Sequence, residues 1–369
     1  MANKVVLDKN VYGGLDGRKR LAQGGDHCSQ LERLAGRSRR RVCNMKVNLK
    51  ISIAMATYNG EKYLQQQLES FLHQTRLPDE LVICDDNSSD LTLKIIESFS
   101  GRAPFPVHVH CNSQNMGYLK TFERAITLSK GDIIFLSDQD DVWFPEKIEY
   151  ILNAFQDIKS PLVVINDAII TDESLRPVKR TLLQQIFSAR LPIETFVSGC
   201  CTAFRKELKV VLLPFPQEYG GHDNWIHRIG IALGRRKVIT CPLQYYRRSA
   251  GATSHYFTNQ PKRVTVIDRA LFYMRGNPKE ACLKRLELLD ILVARLIERG
   301  PVLEKALDET LELDEIIKRV REEQHAVEKR LMLLQKPRFR RIPMAYRMLR
   351  TKEYKYFSGW MSFIRDVLW

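Results

Sequence analysis

The sequence predicts an α/β chain: a doubly wound, largely parallel sheet followed by a C-terminal α-helical extension. Between residues 49 and 137, short apolar runs alternate with segments of helical periodicity, the pattern of βαβ units. Polar and acidic clusters fall directly after the apolar runs, where the crevice of such a sheet lies. Beyond about residue 262 the chain turns to long stretches rich in Leu, Ile, Glu, Lys and Arg at helical spacing.

Residues 1–46 show no sustained periodicity. They carry Gly13-Gly14, Gly24-Gly25 and the basic run Arg37, Arg39, Arg40 and Arg41, and are read as a disordered basic leader. Met45 immediately precedes a strand-like segment and is read as the biological start. The alternative is a basic arm for membrane or nucleic acid. A first strand is expected over 49–55, then the polar turn Thr57-Tyr58-Asn59-Gly60. A helix follows over 61–74, with Leu64, Leu68, Phe71 and Leu72 on one face. Pro78 ends that unit. A second strand at 80–84 runs into Asp85-Asp86-Asn87-Ser88-Ser89-Asp90, and a second helix covers 91–99. Residues 104–111 read as a third strand, Asn115-Met116-Gly117 as a turn and 118–128 as a third helix. The fourth strand, 131–137, ends in Asp138-Gln139-Asp140-Asp141.

The next unit is less regular. A helix is expected over 145–155, a strand over 162–166, and a variable loop with a helical piece over 172–195. Residues 196–204 (F-V-S-G-C-C-T-A-F) look strand-like, with Gly199 allowing close backbone approach. Tyr219-Gly220-Gly221-His222-Asp223-Asn224-Trp225 opens a helix through Ile226, Ile229 and Ile231. A last strand at 237–241 precedes Tyr245-Tyr246-Arg247-Arg248, which leads out of a domain spanning 47–260. Residues 278–334 are expected to form an antiparallel helical hairpin broken at Gly300-Pro301, with Leu303, Leu307, Leu311, Ile317 and Val320 on one face. The tail to residue 369 carries Lys336, Arg338, Arg340, Arg341, Arg347, Arg350, Lys352 and Lys355 against Glu353 alone between 336 and 356. Phe339, Tyr346, Tyr354, Tyr356, Phe357 and Trp360 lie among or just beyond them. That mixture suits an anionic membrane surface, or equally a solvated basic face whose aromatics pack into the hairpin.

Composition narrows the class. The 369 residues are 44% hydrophobic and 27% charged, ordinary for a folded domain. A net charge of +15 points to anionic partners. No apolar run approaches the roughly 20 residues that span a bilayer, and no apolar signal-peptide core is visible. Eight cysteines without a C-x-x-C pair read as reduced, mostly buried thiols of a cytosolic chain. The localisation expected is cytoplasmic, with peripheral contact at the inner membrane face.

The acidic cluster after the fourth strand suggests a purpose. Asp138 and Asp140 form a D-x-D pair at the edge where α/β sheets bind ligands. Hard divalent cations take carboxylate oxygens, and a nucleoside diphosphate takes the cation. An acidic loop at a strand end, with no ligand, is the plain alternative.

Three spaced signals combine: Ala56-Thr57-Tyr58-Asn59-Gly60, Asp85-Asp86-Asn87-Ser88-Ser89-Asp90 and Ser137-Asp138-Gln139-Asp140-Asp141. Together, over roughly residues 50–250, they resemble family 2 glycosyltransferases of the GT-A fold. S-D-Q-D-D-V-W, S-G-C-x-x-x-F and H-D-x-W resemble the bacterial rhamnosyltransferase-like branch. The resemblance implies an inverting, metal-dependent transferase. It would move a sugar, with rhamnose suggested by the branch, from a dTDP- or UDP-sugar to a glycan or lipid-linked glycan in cell-surface polysaccharide assembly.

It also implies roles. Thr57, Tyr58 and Asn59 would belong to the nucleotide site, and Asp86 would accept the base imide N–H, its alternative being an N-cap. Asp138 would meet ribose or metal. Asp140 would hold Mg²⁺ or Mn²⁺. Asp141 would assist or cap the helix after Pro145. Arg247 and Arg248 would face the diphosphate. Asp223 would be the catalytic base, taking the acceptor hydroxyl proton, or else an N-cap. His222, Trp225 and Gly199 would border the acceptor, with core packing the alternative for Trp225. One departure stands out: where the branch often has His after Y-R-R, this chain has Ser249, and the nearest His is His255.

Two rivals of other classes are a nucleotidyltransferase of related fold and a non-enzymatic adaptor of a polysaccharide assembly complex. The first wants a Gly-rich, basic phosphate loop after strand one, which Thr57-Tyr58-Asn59-Gly60-Glu61 lacks. The second fits poorly with four retained site carboxylates. No nucleic acid partner is expected.

Overall fold

A computed structural model describes residues 49–156, 160–248 and 262–368. The expectations for the leader, Ser249 and His255 fall outside these residues. The first half alternates as expected: β1 (Ile51–Thr57), α1 (Leu64–Leu72), β2 (Glu80–Asp85), α2 (Thr92–Ser100), β3 (Val107–Cys111), α3 (Tyr118–Leu128) and β4 (Ile133–Ser137). These strands pair in parallel in the order β3-β2-β1-β4.

Both faces of this half are covered, which is why its strands read as unbroken apolar runs. On β1, Ile51, Ile53 and Met55 pack toward α1 and α2, while Ala54 turns to α3. Ile133 and Phe135 of β4 share the first face, and Ile134 and Leu136 the second. Each fully buried Ile, Leu, Met or Phe among them contributes about 1.5–3 kcal/mol.

The second half is mixed. After β5 (Val142–Trp143) and α4 (Lys147–Ala154) come β6 (Val163–Thr171), β7 (Pro177–Thr181), α5 (Leu182–Ser188), β8 (Thr202–Arg205), α6 (Lys209–Leu212), α7 (His222–Ala232) and β9 (Arg236–Arg247). The sheet continues from β4 as β8-β6-β9-β5, with β7 on β6. β8 is antiparallel to both neighbours, and β6 runs parallel to β9. Several expectations are corrected here. Residues 196–204 are a strand only from Thr202, because Gly199–Cys201 winds into a 3-10 turn. β9 is twelve residues long, so Tyr245, Tyr246 and Arg247 lie within it rather than leading away. Its pairing with β6 shifts register after Asn166, and that bulge hides the strand from a periodicity reading.

The extension comprises α8 (Val266–Arg275), α9 (Pro278–Leu307), α10 (Leu313–Gln335), α11 (Arg338–Arg350) and α12 (Trp360–Leu368). The expected break at Gly300-Pro301 does not occur, and α9 runs through both. A Cβ at Gly300 would meet Leu313 Cδ1 at 2.9 Å, so this glycine admits the start of α10 rather than ending a helix. Leu289, Leu292, Leu296 and Leu303 join one apolar cluster with Trp225, Ile226 and Ile229 of α7. Glu323 of α10 binds both Arg228 and Arg285. Tyr354 is buried, and Phe357 packs against the same cluster. These tail aromatics face inward, unlike Phe339, Tyr346 and Trp360. No described helix is long and apolar enough to cross a membrane. Cys84, Cys200, Cys201 and Cys282 are buried free thiols.

Candidate functional site

A cleft of about 1070 Å³ opens at the C-terminal ends of β1, β2 and β4 and the N-terminus of α7. Thr57, Tyr58, Asn59, Asp86, Asp138, Asp140, Gly199, His222, Asp223, Arg247 and Arg248 all line it. Trp225 does not. It is fully buried, and its Nε1 donates to Leu212 O at 3.0 Å. Trp225 is therefore a core anchor of α7, not an acceptor platform. One turn earlier on the same helix, His222 and Asp223 reach the cleft.

The two loops after β1 and β2 are knitted together. Thr57 Oγ1 donates to Asp85 at 2.7 Å, and Asp85 also accepts the backbone N–H and hydroxyl of Ser88. Asn59, at a positive φ of 45°, accepts Ser89 N–H at 2.9 Å and gives its own N–H to Ser88 Oγ. Thr57 and Asn59 thus shape the loop more than they present free side chains. Tyr58, 47% exposed, makes its loop contacts through its backbone and leaves its ring open to the cleft.

Asp86 is buried and does not cap α2, whose N-cap position is Leu91; Asp90, one residue earlier, accepts Thr92 N–H at 2.9 Å. Asp86 Oδ1 accepts from Asn112 Nδ2 at 2.7 Å and Met116 N at 2.8 Å, and Oδ2 from Gly117 N at 2.8 Å. Burial pushes its pKa up, but the Met116 N–H, Asn112 and the Gly117 N–H outweigh that and leave it below the usual value. A charged carboxylate with spare lone pairs on Oδ2 results.

Under the D-x-D pair lies a buried charged layer. Asp141 is 1% exposed and caps no helix; its oxygens accept Gln244 Nε2 at 2.8 Å and Arg247 N at 3.2 Å. Burial, then Asp140, raises Asp141 to about 7. Burial raises Asp138 well above the usual value, with Asp141, Asp140 and Asp223 adding to it. Burial also raises Asp140, against the pull of Arg247 and Arg248. Lys147, 1% exposed, is the buried cation of this layer. Its Nζ donates to Cys200 O at 2.9 Å and to Gln244, and sits 3.9 Å from the Trp143 ring centroid. Burial lowers it to about 8 despite the nearby thiols and Asp141. Sequence reading missed Lys147, since an inward Lys on a short helix gives no signal.

Asp138, Asp141 and Cys200 place ligand atoms within 4.8 Å of one another. Asp141 and Cys200 do not line the cleft, whereas Asp138 and Asp140 do. The chemistry of the two cleft carboxylates, hard oxygen donors crowded by like charge, fits a divalent cation.

Arg247 is committed to the protein. Its guanidinium donates to Asp140 O at 2.7 Å, to Glu173 O and to Gln66 Oε1 at 2.5 Å, and lies 4.4 Å from the Tyr63 ring centroid. On the opposite wall, His222 stacks 4.1 Å from Phe122. Neither of its ring nitrogens has a protein partner. Burial lowers its pKa, with Asp223 opposing. A Cβ at Gly199 would stand 2.7 Å from His222 Nε2, so only glycine admits the ring there. Tyr118, also missed in sequence, is 47% exposed at the rim, and its hydroxyl donates to Gly220 O.

Comparison with known proteins places the chain in a family by sequence. Residues 52–211 match the Glycosyl transferase family 2 model. An uncharacterized glycosyltransferase of Nostoc sp. is 32% identical over 219 residues, 56% of this chain and 67% of that protein. The dTDP-rhamnosyl transferase RfbG of Shigella flexneri is 38% identical over 99 residues, 26% of this chain and 34% of RfbG. The S. aureus TarS 1–349 structure in complex with UDP-GlcNAc aligns over 86% of this chain and 89% of that one, with 20% identity and a TM-score of 0.47. With its carboxylates at the strand ends of a GT-A sheet and this likeness in sequence, the chain belongs to glycosyltransferase family 2.

Proposed function

We propose that the cleft transfers a sugar from a dTDP- or UDP-linked donor to a hydroxyl of a glycan acceptor, with inversion at the anomeric carbon. The sugar favoured is rhamnose, the one named for the Shigella relative. The process favoured is cell-surface polysaccharide synthesis (O-antigen, capsule or lipopolysaccharide). The supporting observation is that Asp86, Asp138, Asp140 and Asp223, drawn from three distant stretches, line one cleft.

In this reading Tyr58 lies against the base and Asp86 Oδ2 accepts its imide N–H. Asp138 faces the ribose. Asp138 and Asp140 are the residues to hold Mg²⁺ or Mn²⁺, which when bound would neutralise charge on the departing nucleoside diphosphate. Arg248 remains as the diphosphate cation, because Arg247 is spent on clamping the loops. Asp223 takes the acceptor hydroxyl proton as that oxygen bonds to the anomeric carbon. The bond from that carbon to the diphosphate oxygen breaks, and the electron pair leaves with the nucleoside diphosphate. His222 borders the acceptor, and Tyr118 takes the platform role first given to Trp225. A lipid-linked acceptor would place the enzyme at an anionic membrane face.

The test uses Asp223→Asn with candidate donors. Donor binding retained with transfer lost supports the base role; normal turnover refutes it.

A further inference from the structure

The last helix carries an outward apolar stripe besides its inward face, where Phe363 and Val367 pack on the core. Trp360, Ile364 and Leu368 of α12 stand 64%, 51% and 68% exposed. Their spacing puts them on one stripe. The polar residues turn inward: Ser362 is 7% exposed and Asp366 fully buried. Asp366 is held there by Arg330, whose Nε and Nη2 each donate at 2.8 Å, and by Tyr354 OH at 3.0 Å. The ion pair, together with the packing of Phe363 and Val367 on the core, leaves Trp360, Ile364 and Leu368 facing outward.

α11 packs against α12 and carries a second stripe. Phe339, Ile342 and Tyr346 are 72%, 52% and 57% exposed, while Ala345 and Met348 face in. Exposed Lys336, Arg340, Arg347, Arg350 and Lys352 flank it, with the Arg340 guanidinium 5.5 Å from the Phe339 ring centroid. Clustered exposed apolar side chains on two helices in contact point to a docking site. Cations flanking exposed aromatic and aliphatic side chains match the headgroup boundary of an anionic bilayer. A second copy would bring the same cations face to face.

We propose that α11 and α12 form a membrane-docking face that seats Trp360, Ile364 and Leu368 in the interface of an anionic bilayer while α11 cations meet lipid phosphates. This specifies the membrane contact of the transfer reading but does not depend on donor chemistry, so either can fail alone.

The test is co-sedimentation of the full chain with vesicles of phosphatidylcholine alone and of an equal phosphatidylcholine–phosphatidylglycerol mixture. The wild type is expected to partition onto the anionic vesicles, with binding reduced by high salt. The triple variant W360S/I364S/L368S should bind at least about tenfold more weakly, with unchanged circular dichroism and donor hydrolysis. R347Q/R350Q should lose the preference for anionic over neutral vesicles and keep its fold. Equal binding of wild type to both vesicles overturns the proposal, as does undiminished binding of the triple variant. Concentration-dependent dimerisation that the triple variant abolishes, without vesicle binding by the wild type, assigns the face to a second copy and overturns it as well.

Discussion

Gln139 pairs with the backbone of Tyr58 through both ends of its amide. Tyr58 N–H donates to Oε1 at 2.9 Å, and Nε2 donates to Tyr58 O at 2.9 Å. The residue between the two aspartates of the D-x-D pair therefore ties the β4 end to the β1 loop. A Cβ at Gly60 would fall 2.5 Å from Gln139 Oε1, so Gly60 keeps the place for that amide. Each neutral bond nets about 0.5–1.5 kcal/mol. Gln139→Glu keeps one acceptor but sets a carboxylate against the Tyr58 carbonyl. It should raise donor KM several-fold with little loss of stability. Gly60→Ala should act the same way, and the double variant should be no worse than the worse single, because both remove one contact. Fully additive effects in steady-state kinetics would separate the two residues.

Asp138→Asn and Asp140→Asn should each lower metal-stimulated donor hydrolysis on the order of 10²-fold or more, since losing several kcal/mol of charge stabilisation has that effect on rate. Mn²⁺ binding followed by calorimetry should weaken in parallel. Asp141→Asn should instead destabilise the fold. It changes a group holding Gln244 and the Arg247 backbone, off the cleft. Full activity of Asp140→Asn would remove it from the metal site.

The division between cleft and buried layer marks the limit of what the sequence carries. Asp138, Asp140 and Asp141 are equivalent as letters. Only the pairing of β5 with β9, Val142 against Tyr245, decides that Asp141 is sealed beneath Gln244 and Arg247. The parallel half was legible because both faces of each strand are buried and its helices carry clear apolar stripes. α9 was misread because a Gly-Pro pair has two uses. The sequence cannot distinguish a helix end from a helix that needs room for Leu313. Trp225 was ambiguous for a similar reason: consecutive helix positions diverge by about 100°, and one turn separates the cleft from the core.

Trp225→Phe should lower stability by about 1–3 kcal/mol, leaving the Leu212 carbonyl without its indole partner. It should leave donor and acceptor KM nearly unchanged. Tyr118→Ala should do the reverse, raising acceptor KM with little effect on melting. An acceptor KM defect in Trp225→Phe at full stability would return Trp225 to the site.

Asp167 gives a pH signature away from the cleft. It is 3% exposed, accepting Ala168 N at 2.8 Å and Leu183 N at 3.0 Å. Burial raises it to about 6, against about 3.9 unfolded. The folded state therefore binds its proton more tightly. That contribution is fully present below about pH 4 and is lost as pH rises through about 6, by roughly 2–3 kcal/mol. In denaturant titrations, Asp167→Asn should flatten the fall in stability between those values. An unchanged slope would place the titration elsewhere.

Arg330 and Asp366 supply the last prediction. Their side chains are 10% and 0% exposed, with two bonds at 2.8 Å between them. Removing one partner strands a buried charge, so Asp366→Ala should lose about 3–5 kcal/mol, whereas replacing both by apolar residues can be near neutral. A double-mutant cycle of Arg330→Leu and Asp366→Leu should therefore show each single variant strongly destabilised and the double largely restored. The restored double tests more than the pair. With leucines at 330 and 366, the ion pair no longer helps dictate which face of α12 turns inward. If the buried ion pair sets that orientation, the double variant should regain stability while Trp360 becomes less accessible to a soluble quencher. Unchanged quenching at restored stability would assign the orientation to packing around Tyr354 and Phe363 instead of to charge.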